Sequence, residues 1–170
     1  MKTASLQRYA YTIFCDDLRE EVGGKFSLMG IYRNILIPSA PLPISLPHFA
    51  AVVHFVEPAT EEFKALTIRL YFPGQDENEP PAAQVDIAAD QNTAPPETDV
   101  PLDRQVRSLA IPFRIAPLKL ETAGRLRVRI ERDGEVILAG TLQILGGPQE
   151  TTASGGSSSA TEKDSDGAAS

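Results

Sequence analysis

The chain has 170 residues, of which 42% are hydrophobic and 23% charged, with no tryptophan and one cysteine. That length suits one domain with an appendage, and the composition supports a packed core of Leu, Ile, Val and Phe. No stretch approaches the ~18 consecutive apolar residues of a membrane span, and a single Cys15 excludes an internal disulfide; the net charge of -7 argues against a general nucleic-acid binder, which gains affinity by neutralising phosphate.

The N-terminus, through Ser5, Gln7 and Arg8, lacks the apolar block of about 7–15 residues that a secretory signal needs. With the lone cysteine this gives a cytoplasmic expectation. Arg8–Cys15 and Lys25–Ile37 read as strands around a charged loop, Asp16–Gly24, which holds Asp16, Asp17, Arg19, Glu20 and Glu21 before the Gly23-Gly24 pair. Four acids offer hard oxygen ligands, but no D-x-[DN]-x-[DN]-G spacing is present. Arg19 and Lys25 are close enough in sequence to pair with them, so a solvated loop with internal ion pairs is expected and a metal site is not. Gly23-Gly24 reads as a turn, since a phosphate cradle needs a helix after it and here a strand follows. Cys15 is followed by acids, which raise a thiol pKa, so a buried, inert residue is expected.

Pro38–Pro47, with four prolines, reads as irregular. Phe49–Val56 is apolar on both faces, as a central strand should be. His48 and His54 flank and enter it; without a third ligand, His54 is expected as a hydrogen-bonded core or boundary residue. Glu57–Ala65 has room for a turn or two of helix. Leu66–Phe72 alternates strictly, with Leu66, Ile68, Leu70 and Phe72 expected on the buried face and Thr67, Arg69 and Tyr71 on the other. Ala83–Ala88 alternates less clearly, between turn-rich Pro73–Pro81 and Asp90–Arg104.

Leu109, Ile111, Phe113 and Ile115 define a further strand whose Pro112 requires an edge or a bulge. Leu126, Val128 and Ile130 alternate with Arg125, Arg127 and Arg129, a basic stripe opposite the core with Arg107 and Arg114 as possible neighbours. Asp133-Gly134 then supplies a type I′ turn, and Val136, Leu138, Leu142 and Ile144 are expected to continue the buried face. The stripe could meet an acidic partner or nucleic acid. Without interleaved aromatics it is read as keeping the sheet soluble.

From Gly146 no large apolar residue remains, and residues 146–170 are expected to be a disordered tail on a domain of residues 1–145. That domain has 19 acids against 15 bases. Seven to eight short strands predict an all-β antiparallel sandwich of immunoglobulin-like type.

Cys15-Asp16-Asp17, Arg19, Glu21, Gly23-Gly24-Lys25, Ser27-Leu28, Gly30 and Tyr32 together resemble the opening of a family of small, uncharacterised bacterial proteins classed only as a domain of unknown function. Residues 124–134 resemble the closing hairpin of immunoglobulin-like modules. The family resemblance implies a bacterial or phage origin and a sandwich, and no activity. The expected role is a non-enzymatic interaction or accessory module without a cofactor, with a protein partner at Asp16, Asp17, Arg19, Glu20, Glu21 and Lys25 or at Arg125, Arg127 and Arg129. The alternatives are a metal-dependent hydrolase using the Asp16–Glu21 acids and a nucleic-acid accessory protein using the stripe.

Overall fold

The computed structural model describes residues 7–89 and 98–148. Eleven strands lie among them: β1 (Tyr9–Glu21), β2 (Lys25–Ile31), β3 (Ile35–Leu36), β4 (Ile44–Leu46), β5 (Phe49–Pro58), β6 (Leu66–Tyr71), β7 (Ala83–Ile87), β8 (Val106–Ile115), β9 (Leu118–Leu120), β10 (Gly124–Arg132) and β11 (Glu135–Ile144). They form a four-stranded sheet β2-β1-β5-β8, a five-stranded sheet β3-β11-β10-β6-β7, and a small β4-β9 pair. The all-β expectation holds, but there are more strands than the seven to eight read from the sequence. The short β3 runs parallel to β11, so the larger sheet is mixed rather than antiparallel. An immunoglobulin-like strand order is not shown. The expected tail from Gly146 lies, from residue 149 onward, outside the described residues, as does most of the expected loop at 90–104.

One core sits between the two larger sheets. Phe14, Phe49, Ala51, Val53, Phe55 and Phe113 from the first meet Leu66, Ile68, Leu126, Val128, Ile130 and Leu142 from the second. The strict alternation of β6, β8 and β10 makes this possible, because a period of two sends every second side chain to the same face. Strand β5 lies inside its sheet, as its two apolar faces predict, and β8 is an edge strand, which accommodates Pro112. The β10–β11 turn is the type I′ expected: Asp133 and Gly134 take φ of 56° and 77°.

Two details depart from the pattern. Val136 and Leu138 are exposed, at 56% and 70%, not buried. The register passes from Val128↔Gly140 to Arg129↔Leu138, so Ala139 is an extra residue and the bulge turns the preceding side chains to the opposite face. The Ala139 carbonyl accepts a hydrogen bond from Thr12 Oγ1 of the other sheet at 3.0 Å. A Cβ at Gly140 would come within 2.8 Å of Thr12, so glycine permits this close approach. The second departure is Pro38–Pro47, where Ile44–Leu46 forms β4 by pairing with the distant Leu118–Leu120. Glu57–Ala65 contains no helix: Glu57 and Pro58 end β5 and turns follow.

At one end of the core lies a charged cluster. Glu57 is 0% exposed and Arg132 1% exposed. The Glu57 carboxylate accepts from Arg132 at 3.0 Å and from Arg107 at 2.6 Å, with Arg8 at 3.7 Å. Arg132 also donates to the Glu62 carbonyl and Arg107 to the Glu61 carbonyl, while both guanidinium groups lie over the Phe63 ring. A buried carboxylate is tolerable only when paired and hydrogen-bonded, and this one is.

Candidate functional site

The charges of Asp16–Glu21 lie on strand, not loop. Strand β1 runs unbroken to Glu21, and only Val22, Gly23 and Gly24 form the turn into β2. Asp16, Arg19, Glu20 and Glu21 are exposed and Asp17 is half-buried, because the far half of this hairpin extends as an arm with water on much of its surface. Charged residues tolerate that position as readily as they tolerate a loop, which is why composition alone misplaces them.

The arm lies over the outer face of the four-stranded sheet. The pairs Ile13↔Val52 and Cys15↔Ala50 place these side chains on the face away from the main core. Cys15, Leu18, Ala50 and Val52 form a second buried cluster there, capped by Phe26 and Leu28 of β2. Arg114, on the outer face of β8 opposite Ala50, reaches Glu20 at 3.2 Å and the Leu18 carbonyl at 3.5 Å, tying the arm across the sheet. Both partners of this ion pair are about half exposed, so the tie positions more than it stabilises.

Between arm and sheet is an open cleft of about 440 Å³. Its floor is Ile13, Val52 and His54; its other wall is Gly24, Lys25, Phe26 and Leu28 of the arm. Volumes of about 300–1,000 Å³ are typical of small-molecule sites. His54 stacks flat on Tyr11, with ring centroids 4.6 Å apart and planes 6° apart, and Tyr9 continues the stack. Among the described residues His54 is thus a boundary residue held by stacking rather than by a hydrogen bond. Burial pushes its pKa below the ordinary imidazole value, which favours the neutral ring.

The internal ion pairs expected of the arm do not form. Asp16 accepts a hydrogen bond from the Tyr32 hydroxyl, Asp17 from the backbone N–H of Leu18, and Glu21 from Ser27. Glu20 goes to Arg114. Arg19 and Lys25 are left without an acid partner among the described residues. Gly30 has φ +67° and stands against Asp16, where a Cβ would lie 2.0 Å from a carboxylate oxygen. Glycine therefore makes room for the Asp16–Tyr32 bond; burial, and then this bond, raise the Tyr32 pKa. Burial, with Asp16 and Asp17 nearby, pushes the Cys15 thiol up as well. No group of three His, Cys, Asp or Glu side chains is placed to hold a metal among the described residues.

The stripe is positioned differently. Arg127 and Arg129 project from β10, and both bind Glu77 of the β6–β7 connection, at 2.9 and 2.8 Å. Arg127 also donates to the Gln75 carbonyl and lies 5.7 Å from the Tyr71 ring centre. Arg125 is exposed. Arg107 and Arg114 are not beside the stripe but on β8 in the other sheet, one in the Glu57 cluster and one strapping the arm.

The sequence pointed to the arm but not to the floor of the cleft, nor to the Glu57 cluster. A signal for the cluster existed: Glu57 closes a run, Phe49–Val56, that is apolar on both faces, where a carboxylate has no solvent to face. Its arginine partners are 49, 50 and 75 residues away and could not be chosen by spacing.

No curated protein and no solved structure matches the chain. A family model does, over residues 10–145, which includes the arm, the cleft and the Glu57 cluster except Arg8. That span is most of the sequence, and the chain belongs to this family of unknown function (DUF6941).

Proposed function

We propose that the protein is a non-catalytic interaction module whose arm accepts an extended segment of a partner protein alongside β2. The observation that carries this reading is the difference between β2 and the other sheet edges. Strand β8 has Pro112, β3 has two residues, and β7 has five, with Asp86 among them. Strand β2 has seven residues and no proline, and it exposes Met29 at 42% and Ile31 at 57%. Val22 at the tip is 95% exposed. An open edge of this kind offers unpaired backbone groups for strand addition, and the exposed side chains choose among sequences.

Charge selects the occupant. Lys25 begins β2 and exposed Arg33 follows it closely. Two copies paired antiparallel through β2 would bring Lys25 of each near Arg33 of the other, a repulsive arrangement at both ends. The complementary segment is apolar in the middle with an acidic residue at each end. A synthetic seven-residue peptide alternating valine and threonine, with a glutamate at each end, is the probe.

Calorimetry should show saturable binding, with Arg33→Glu and a lysine-ended peptide each weakening it by about tenfold, or roughly 1.4 kcal/mol. Amide shifts should follow β2 and be lost in Met29→Glu. Equal binding of both peptides, or a concentration-dependent dimer that Met29→Glu dissolves, would overturn the reading.

A further inference from the structure

We infer that the cleft beneath the arm seats a small amphipathic carboxylate, with its apolar body against Val52, Ile13 and Leu28 and its head at Lys25. Three observations converge on this ligand class. The cleft is lined mainly by aliphatic and aromatic side chains, and its about 440 Å³ suits a small molecule rather than a folded partner. No carboxylate lines it, although the arm carries four acids within ten residues. Those acids are turned to Tyr32, Leu18, Arg114 and Ser27.

Lys25 is therefore the ionised side chain of the lining, and among the described residues it has no acid partner. A cation at the rim of an apolar cleft attracts an anion whose remainder prefers to leave water. His54, stacked flat on Tyr11 and with burial disfavouring its charged form, adds a flat apolar wall to the floor. Lysine suits a single carboxylate here, since it presents a compact charge on a flexible stem that itself lies along apolar surface. The cleft shares Lys25 with the β2 edge but not Arg33, Met29 or Ile31: Lys25 and Leu28 line the cleft, whereas Met29 and Ile31 are exposed on the same strand.

The test uses the full chain with three probes of equal chain length below their micelle concentrations: decanoate, decanol and decyltrimethylammonium. Decanoate should shift the amides of Lys25, Phe26, Leu28 and Val52, and it should bind more tightly than decanol. The ammonium probe should bind weakest. Lys25→Gln, at an exposed position, should reduce decanoate affinity by about fivefold while leaving decanol unchanged. Leu28→Trp, which fills the cleft, should remove binding of both. Arg33→Glu should leave decanoate affinity intact, which separates this site from the strand-addition edge. Equal affinity for decanoate and the ammonium probe, an unchanged decanoate affinity in Lys25→Gln, or shifts confined to other surfaces would overturn the assignment.

Discussion

Glu57→Gln is expected to lower the unfolding free energy by about 3–5 kcal/mol, the cost of stranding buried charge without its counter-ion. Arg132 is 1% exposed and Arg107 has 12% of its side chain in water, so neither guanidinium can turn outward without leaving Phe63. The glutamine keeps one acceptor but loses the charge facing three arginines. The loss is a large fraction of the roughly 5–15 kcal/mol by which most domains are stable. Urea unfolding reads it as a lowered midpoint with unchanged slope. Replacing Glu57, Arg107 and Arg132 together with leucine should recover most of the loss, because the two most buried guanidinium groups leave with the carboxylate while Arg8 keeps Glu61 and Glu135 as partners. A loss below about 1 kcal/mol in the single variant would show that water already screens the cluster.

Phe55→Ala should cost about 3–5 kcal/mol by a different route. Phe55 is 0% exposed on an interior strand, and its ring fills space between both large sheets. Neither sheet can close in readily: each is hydrogen-bonded along its length, and Thr12 and Gly140 already bring them as near as the backbone allows. The cavity therefore persists, and the penalty sits toward the high end of the range. Thermal unfolding is the check. Phe55→Leu retains much of the volume and should lose clearly less. Equal effects of the two substitutions would mean that the site collapses.

These expectations rest on different degrees of legibility in the sequence. The β10–β11 hairpin could be read because Asp133-Gly134 fixes a local turn and the alternation beside it is strict. The faces of β6 and β8 followed for the same reason. Where non-local pairing decides, the local pattern misleads. Ile44–Leu46 lies in a proline-rich stretch and becomes a strand only through Leu118–Leu120, over seventy residues on. Period two alone points Val136 and Leu138 inward, and one bulged residue, Ala139, reverses that pattern without any composition cue. The Asp16–Glu21 acids read as a loop because charge and exposure coincide in one, and an arm strand with a solvated surface looks the same in sequence. For the cleft, the segment Phe14–Tyr32 named one wall; the other wall needs Val52 and His54, which only the pairing of β1 with β5 supplies.

The lone cysteine acquires a use from its position. Cys15 is 0% exposed and lies at the root of the arm, under Leu18, Phe26 and Leu28. A thiol reagent can reach it only when the arm lifts or the whole domain unfolds, and burial and its acidic neighbours keep the thiolate scarce. Labelling of the folded protein by a disulfide reagent is therefore a clock for that motion, without any engineered probe. If the clock runs far faster than global unfolding, the arm is a separately opening unit. A ligand resting beneath it would then slow the clock in step with its occupancy of the cleft.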